Sequence, residues 1–425
     1  MVLQVPDRDL DVVVFGCTGV TGRRVAAYLA ERAAETGASW AAAARDVAKL
    51  RRVLEEVGVR APETVVADVD QPRSLAAMAS RARVVLNLVG PYTLYGRPVI
   101  EACVAGGAHY ADLTGEIPFV RQIIDSFDDR AREAEVKLVQ VCGFESVPAD
   151  LAVLLAAEQA RARWEEGLAE VDLEASVAGP PGLPRPSDLV SGGTAQSLAA
   201  AASSENAAAV TDPAALITDS AVAEEVRHRS PISVMPRRSG DAVIGPMAPA
   251  AFINPAVIHR STALLGAEGG ARAEPFRYRE GVALRGRAAS LPLRYAAAGM
   301  MSGAQAALAS AARARPSVRR RVSGALSAIL PSSGFGPAGD RMEQWKWRIS
   351  LTARTTAGHQ VRVEVDADGH PGYLATARML GEAGLLLAEH DATPRRAGCL
   401  TPATALGTGC VERFERAQVR FSVDS

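Results

Sequence analysis

Apolar residues in the first 140 positions fall into short, largely unbroken runs: Val12–Phe15, Ser39–Ala44, Val65–Ala67, Val84–Val89, Tyr110–Leu113 and Val136–Val141. Runs this short and this uniformly apolar are what strands look like when both faces of their sheet are covered. Helical spacing fills the gaps. Arg23–Arg32 follows the first run; Val47, Leu50, Leu54 and Val57 recur at helical intervals and stop at Gly58; Pro72 opens a further helix. Pro98–Ala105 ends at Gly106-Gly107, and Phe119–Glu135 precedes the sixth run. Strands and helices in alternation predict an α/β fold. An N-terminal Rossmann-type, doubly wound parallel sheet is expected over residues 1–155.

Beyond residue 160 the period changes. Val171, Leu173, Ala175 and Val177 alternate like a strand with one wet face, and four prolines mark a loop from Pro180 to Pro186. A helix is expected over Gly193–Asn206, while residues 207–250 carry no readable pattern. Trp345, Trp347, Ile349 and Leu351 alternate, Thr356-Ala357-Gly358 turns, and Val361, Val363 and Val365 alternate back, which predicts a hairpin. Residues 156–390 therefore read as a second α+β domain with an antiparallel sheet, closing over one end of a ligand held by the first. Thr401-Pro402 is an N-cap followed by proline, and predicts a helix to about Arg416. The segment 391–425 would then carry its final strand, Val419–Val423, back toward the first domain.

The first turn carries the chemistry. Val12–Phe15 breaks into Gly16-Cys17-Thr18-Gly19-Val20-Thr21-Gly22, so glycines spaced three apart join a buried strand to a helix. Such a turn lets the backbone approach a pyrophosphate while the free N–H groups of the next helix face the anion. Arg45 ends the second strand, where a carboxylate would bind the ribose hydroxyls of NAD. A guanidinium there suits a 2′-phosphate and points to NADP(H), against the alternative of a solvated arginine at a helix start. Asp68, at the end of the third strand, is placed to accept from the adenine amino group.

Composition removes other classes. A net charge of −1, with no basic run interleaved with aromatics, argues against nucleic acid as a partner. Five cysteines without a CxxC pair and scattered histidines give neither a disulfide framework nor a metal site. Tyr-x-x-x-Lys and Gly-x-Ser-x-Gly are both absent, which removes the short-chain dehydrogenase and serine hydrolase mechanisms. The N-terminus shows no signal-peptide pattern, so a cytoplasmic location is expected.

Charge is unevenly spread, however. Residues 281–330 hold eight arginines and no acidic residue, around the uncharged stretch Tyr295–Ala312. That stretch is too weakly apolar to span a bilayer. It reads either as a surface helical hairpin of the second domain, or as a peripheral contact with the inner face of the membrane or with an acyl-carrier partner.

Four ordered segments together resemble the saccharopine dehydrogenase-like oxidoreductases, and within them the actinobacterial trans-acting enoyl reductases. They are the glycine turn, Asn87-Leu88-Val89-Gly90-Pro91-Tyr92, His109-Tyr110-Ala111-Asp112-Leu113-Thr114-Gly115-Glu116 and Gly143-Phe144-Glu145-Ser146-Val147-Pro148. Ser191-Gly192-Gly193-Thr194, Pro371-Gly372-Tyr373 and Leu400-Thr401-Pro402-Ala403 resemble later signatures of that branch. Where the family commonly has Gly-Phe-Asp-Ser, Glu145 is one methylene longer.

The resemblance implies NADPH-dependent reduction of a carbon–carbon double bond in a lipid or polyketide acyl chain delivered by a separate synthase. It adds Asn87 and Gly90 to the cofactor-binding set of Gly16, Thr18, Gly19, Val20, Thr21, Gly22, Arg45 and Asp68. Tyr92 and Glu145 are the candidate proton donors, and both follow strand ends. Tyr92 has the alternative of packing against the cofactor, Asp112 and Glu116 that of capping backbone N–H groups, and Cys142 that of a small buried residue. A saccharopine-type amino-acid dehydrogenase and a non-catalytic NADP-binding interaction protein remain as other readings, and a homodimer is open.

Overall fold

The computed structural model describes residues 8–181, 207–247, 250–268, 274–286, 290–315, 317–319, 321 and 339–424. The six expected strands are present: β1 (Leu10–Phe15), β2 (Trp40–Ala44), β3 (Glu63–Val66), β4 (Ala82–Asn87), β5 (His109–Asp112) and β6 (Lys137–Val139). They lie parallel in the order 3-2-1-4-5-6, and a seventh strand, β13 (Gly398–Leu400), extends the sheet beside β6. Helices α1 (Gly22–Thr36), α2 (Val47–Glu55), α3 (Pro72–Arg81), α4 (Tyr92–Gly106) and α5 (Ile117–Glu133) connect them. Val13, Phe15, Val85 and Tyr110 face α3, α4 and α5, with Met78, Ile100 and Phe127 buried opposite.

The other face of this sheet is covered partly by a helix from much later in the chain. Val14, Val84 and Leu86 pack against α10 (Thr376–Ala388), whose Met379, Leu380 and Ala383 are fully buried. A Cβ on Gly381 would lie 2.5 Å from the Tyr28 ring, so glycine is what lets α10 rest on α1. Glu382 fixes that contact: wholly buried, it accepts from Tyr28 Oη (2.5 Å), Arg32 Nε (3.1 Å) and Arg413 Nε (2.9 Å).

A second seven-stranded sheet contains β7 (Leu168–Ala178), β8 (Arg237–Ser239), β9 (Ala242–Gly245), β10 (Arg277–Leu284), β11 (Lys346–Thr355), β12 (Gln360–Asp368) and β14 (Val419–Val423). Its order is 14-12-11-7-10-9-8, antiparallel except for the β7/β10 pair. The expected hairpin is the β11/β12 pair, with Trp347 opposite Ala367 and Leu351 opposite Val363. Helix α6 (Val147–Trp164) leaves the first sheet and packs on the inner face of the second. It is buried on several sides, from Leu151 to Ala160, which is why it shows no amphipathic period.

Three expectations change. Val419–Val423 pairs with β12 in the second sheet, not with the first, and the part of the C-terminal segment that returns to the first sheet is Gly398–Leu400. The helix from Thr401 stops early: α11 (Pro402–Leu406) ends at Gly407, whose φ of +68° breaks the α-helical path, and a 3₁₀ stretch follows over Thr408–Glu415. Helix α4 begins at Tyr92, six residues before Pro98, because a carboxylate distant in sequence caps it. The Gly193–Asn206 helix and the Ser191–Thr194 signature lie outside the described residues, as does most of the proline-rich loop. Residues 207–250 contain α7 (Ser220–Arg229) and the β8/β9 hairpin.

Candidate active site

Parallel strands deliver their following loops to one edge of the sheet, and a crevice opens where β1 and β4 send their connections in opposite directions. The glycine turn sits there. Gly16 adopts φ +98°, and a Cβ on it would lie 2.9 Å from the Leu88 carbonyl carbon. A Cβ on Gly22 would lie 2.3 Å from the Gly16 oxygen, so only glycine lets α1 start against the turn. Gly19 has nothing nearer than 3.5 Å, which leaves space against its backbone. The first turn of α1 contains no acidic residue, so its N-terminal N–H groups have no local anionic competitor. These features fit a dinucleotide diphosphate.

The remaining cofactor candidates divide about β1. Arg45, exposed, directly follows β2, and Asp68, half-buried, follows β3 and receives the Asp70 N–H at 3.1 Å. Asn87 and Gly90 lie on the opposite side, after β4. Thr18, Val20 and Thr21 are half-exposed in the turn itself. Arg24, in the first turn of α1, has its pKa lowered to about 10 by burial and by neighbouring Arg23, while Tyr373 opposes that shift. Tyr373, of the Pro371-Gly372-Tyr373 segment, is thus a neighbour of Arg24.

Beneath the β4, β5 and β6 ends lies a buried polar network. Asn87 Nδ2 donates to Tyr110 Oη (3.1 Å), and Tyr110 Oη donates to Asp112 Oδ2 (2.8 Å). Asp112 Oδ1 accepts the N–H groups of Thr114 (3.0 Å) and Val141 (3.3 Å). Burial still pushes the Asp112 carboxyl up to about 7. Val141 sits at φ +59°, rare for a β-branched residue, where the chain bends from β6 into Gly143–Ser146. Glu116 caps α4, accepting Tyr92 N–H (2.9 Å), Thr93 N–H (2.8 Å) and the Thr93 hydroxyl.

Tyr92 and Glu145 end up in different circumstances. The Tyr92 hydroxyl donates to the Asn87 carbonyl (3.2 Å) and accepts from Leu113 N–H (3.4 Å), and the side chain is 6% exposed. Burial, reinforced by Asp112, holds its pKa well above the usual value. Glu145 is half-buried and makes no ion pair among the described residues. Burial raises its pKa and favours the protonated acid. Cys142 is buried, with its thiol pushed up beyond the reactive range.

Residues from the second half hold the Glu145 loop. Thr376 Oγ1 accepts Phe144 N–H (3.1 Å) and donates to the Pro371 carbonyl (2.8 Å), and the Phe144 ring meets Trp347 edge-on at 4.8 Å. Ser146 donates to Asn254 Oδ1 (3.1 Å), at the start of α8 (Asn254–Glu268). Asn254 Nδ2 and Tyr278 Oη both donate to Glu280 Oε2 (2.8 Å each), and Glu280 Oε1 is buried without a partner. Burial carries Glu280 to about 7. Sequence reading missed Asn254, Glu280 and Thr376. Asn254-Pro255 carried only the generic signal of a helix start.

Comparison with known proteins agrees with this geometry. Residues 12–139 match the saccharopine dehydrogenase NADP-binding domain. A putative trans-acting enoyl reductase of Mycobacterium tuberculosis is 35% identical, with 97% of each chain covered. The chain belongs to the trans-acting enoyl reductase family. Trans-acting enoyl reductases of Mycobacterium leprae and Mycobacterium ulcerans are 33% and 32% identical, over 97% and 98% of this chain. Apo saccharopine dehydrogenase (L-Glu forming) from Saccharomyces cerevisiae shares the fold, with a TM-score of 0.51 at 11% identity over 98% of this chain and 100% of its own. This member of the enoyl reductase family is thus an NADP-dependent oxidoreductase with its nucleotide domain in the first sheet.

Proposed function

We propose that this chain reduces the carbon–carbon double bond of an α,β-unsaturated acyl thioester, using NADPH, on a lipid-like or polyketide chain carried by a separate synthase. The observation that carries this reading is the match, over 97% of the chain, to proteins named trans-acting enoyl reductase. Bound NADPH supplies the hydride. The protein's part is to hold the nucleotide, fix the acyl thioester beside it and provide a proton.

Gly16, Thr18, Gly19, Val20, Thr21 and Gly22, with the first N–H groups of α1, hold the diphosphate. Arg45 pairs with the 2′-phosphate and Asp68 accepts from the adenine. Asn87 and Gly90 line the nicotinamide side. Glu145 gives the proton to the α-carbon, because burial biases its carboxyl toward the acid form and no ion pair among the described residues holds it as a carboxylate. Tyr92, with its hydroxyl held between Asn87 and Leu113, positions the β4 loop against the cofactor instead. The half-buried Phe144 ring beside Glu145, backed by the buried Trp347, offers the acyl chain an apolar wall. An acyl-carrier domain is the partner that presents the thioester.

The test is incubation of the purified chain with NADPH and pantetheine thioesters of trans-2-enoyl acids of increasing length, following absorbance at 340 nm and product mass. Oxidation of NADPH with gain of two mass units by the thioester is expected, and slower oxidation with NADH. Tight NADPH binding without oxidation on any enoyl thioester would overturn the proposed reaction.

A further inference from the structure

A helix packed on a protein in water turns its apolar residues inward and its polar ones out. Helix α9 (Leu291–Ala312) departs from this: it lies on β9 and on residues 207–211, and its buried positions are Arg294, Ala298, Ser302, Gln305 and Ala312, three of them polar and none a large apolar residue. Arg294 Nη1 donates to the Asp241 carbonyl (2.6 Å), and Ser302 bonds back to Ala298 O (2.8 Å). Both amide atoms of Gln305 are buried without a partner. The outer stripe, at alternating steps of three and four, is Leu293, Ala296, Met300, Gly303 and Ala307. Leu293 is 71% exposed and Met300 72%, with Tyr295 beside them at 40%. A surface of this kind is built to meet an apolar medium.

Charge identifies that medium. Arg313, Arg315 and Arg321 are exposed just beyond the C-terminal end of α9, and no acidic residue occurs between 281 and 330. The nearest carboxylate on β9's connection, Asp241, is paired with Arg285 (2.9 Å) at the other end of the helix. A second copy meeting this face across a two-fold axis would bring only further arginines to it. No helix among the described residues is long and apolar enough to cross a membrane, so α9 lies along a surface.

We propose that α9 and the arginines after it form an in-plane docking surface for an anionic lipid bilayer. The Leu293/Met300 stripe enters the acyl boundary, and Arg313, Arg315 and Arg321 meet lipid phosphates. This does not depend on the reduction chemistry, since none of these residues lies at the nucleotide crevice.

The experiment is flotation of the full chain with vesicles of phosphatidylcholine alone, or mixed with phosphatidylglycerol, at low and high salt. Flotation with the anionic vesicles at low salt is expected, with little on phosphatidylcholine alone and loss at high salt. Neutralising Arg313 and Arg315 to Gln lowers partitioning about 25-fold, from about fivefold for each charge at an anionic surface. Leu293→Ser with Met300→Ser abolishes flotation while NADPH binding and melting temperature stay at the wild-type values. A chain that remains unbound beside anionic vesicles at low salt overturns the proposal. So does a dimer dispersed by Met300→Ser, or binding of an acidic carrier domain through this face by a chain that ignores vesicles.

Discussion

Adding one methyl group at either of two glycines separates nucleotide binding from folding. A Cβ on Gly19 would come no nearer than 3.5 Å to protein, an ordinary van der Waals contact with Gly16 O. Gly19→Ala therefore leaves the fold intact, and the less flexible unfolded chain adds about 0.4–1 kcal/mol of stability. The same methyl stands where a pyrophosphate must approach the backbone, so the NADPH Kd rises at least about tenfold, or about 1.4 kcal/mol. Gly22→Ala behaves differently. Its Cβ would lie 2.3 Å from Gly16 O and 2.8 Å from Cys17 Cα, both backbone atoms that cannot rotate away. Overpacking of this kind costs about 1–3 kcal/mol and lowers Tm by about 2–4 °C per kcal/mol. Nicotinamide fluorescence titration and a thermal melt on each variant read the two effects. NADPH binding by Gly19→Ala within twofold of wild type would show that the turn does not carry the diphosphate, and the reasoning would fail.

Arg45→Ala should raise the NADPH Kd about tenfold, from loss of a charge-assisted pair worth about 1.5 kcal/mol, and leave NADH unchanged; equal effects on both nucleotides would remove Arg45 from the 2′-phosphate site. Glu145→Gln should cut kcat about 10²–10⁴-fold and remove the limb of the pH profile on which rate falls as the acid deprotonates with rising pH; a surviving limb would assign it to another group. Glu382→Gln leaves the Arg32 and Arg413 guanidiniums facing a neutral amide and should lower unfolding free energy by about 3 kcal/mol in a urea titration, with a change under 0.5 kcal/mol counting against the α1–α10 clamp. Glu280, raised from 4.5 to about 7, binds its proton more tightly folded than unfolded. Its contribution is present below about pH 4.5, is lost progressively up to about pH 7, and leaves a deficit of about 3 kcal/mol above that. The stability difference between wild type and Glu280→Gln should therefore change between pH 4.5 and 8, and a constant difference would contradict the burial argument.

The parallel sheet was legible because its inner strands are covered on both faces, so apolar runs and glycine stops marked them directly. The β11/β12 hairpin was legible for the opposite reason: one wet face gives a clean alternation through Trp347, Ile349 and Leu351. What could not be read is what depends on distant partners. Nothing near Tyr92 announces that Glu116, twenty-four positions on, caps α4 and moves its start ahead of Pro98. Helix α10 is buried on nearly all sides, its charged Glu382 included, because it fills the gap between α1 and β4, a place no local period encodes. The final strand was misplaced because Val419–Val423 satisfies either sheet by pattern, and its pairing with β12 is a matter of register. The glycine turn was legible because its backbone geometry demands glycine at Gly16 and Gly22. Asn254 and Thr376 hold the Glu145 loop, and Glu280 holds Asn254, through single hydrogen bonds that leave no pattern in the chain.

The central claim is hydride delivery from NADPH to an acyl double bond beside Glu145. Its most direct test is a single turnover with NADPH deuterated at the nicotinamide C4, on an enoyl pantetheine thioester, followed by mass spectrometry of the saturated product. Deuterium should appear at the β-carbon, with a solvent proton at the α-carbon whose arrival slows in Glu145→Gln. Unlabelled product, or label at a carbonyl-derived carbon with the double bond intact, would contradict the account.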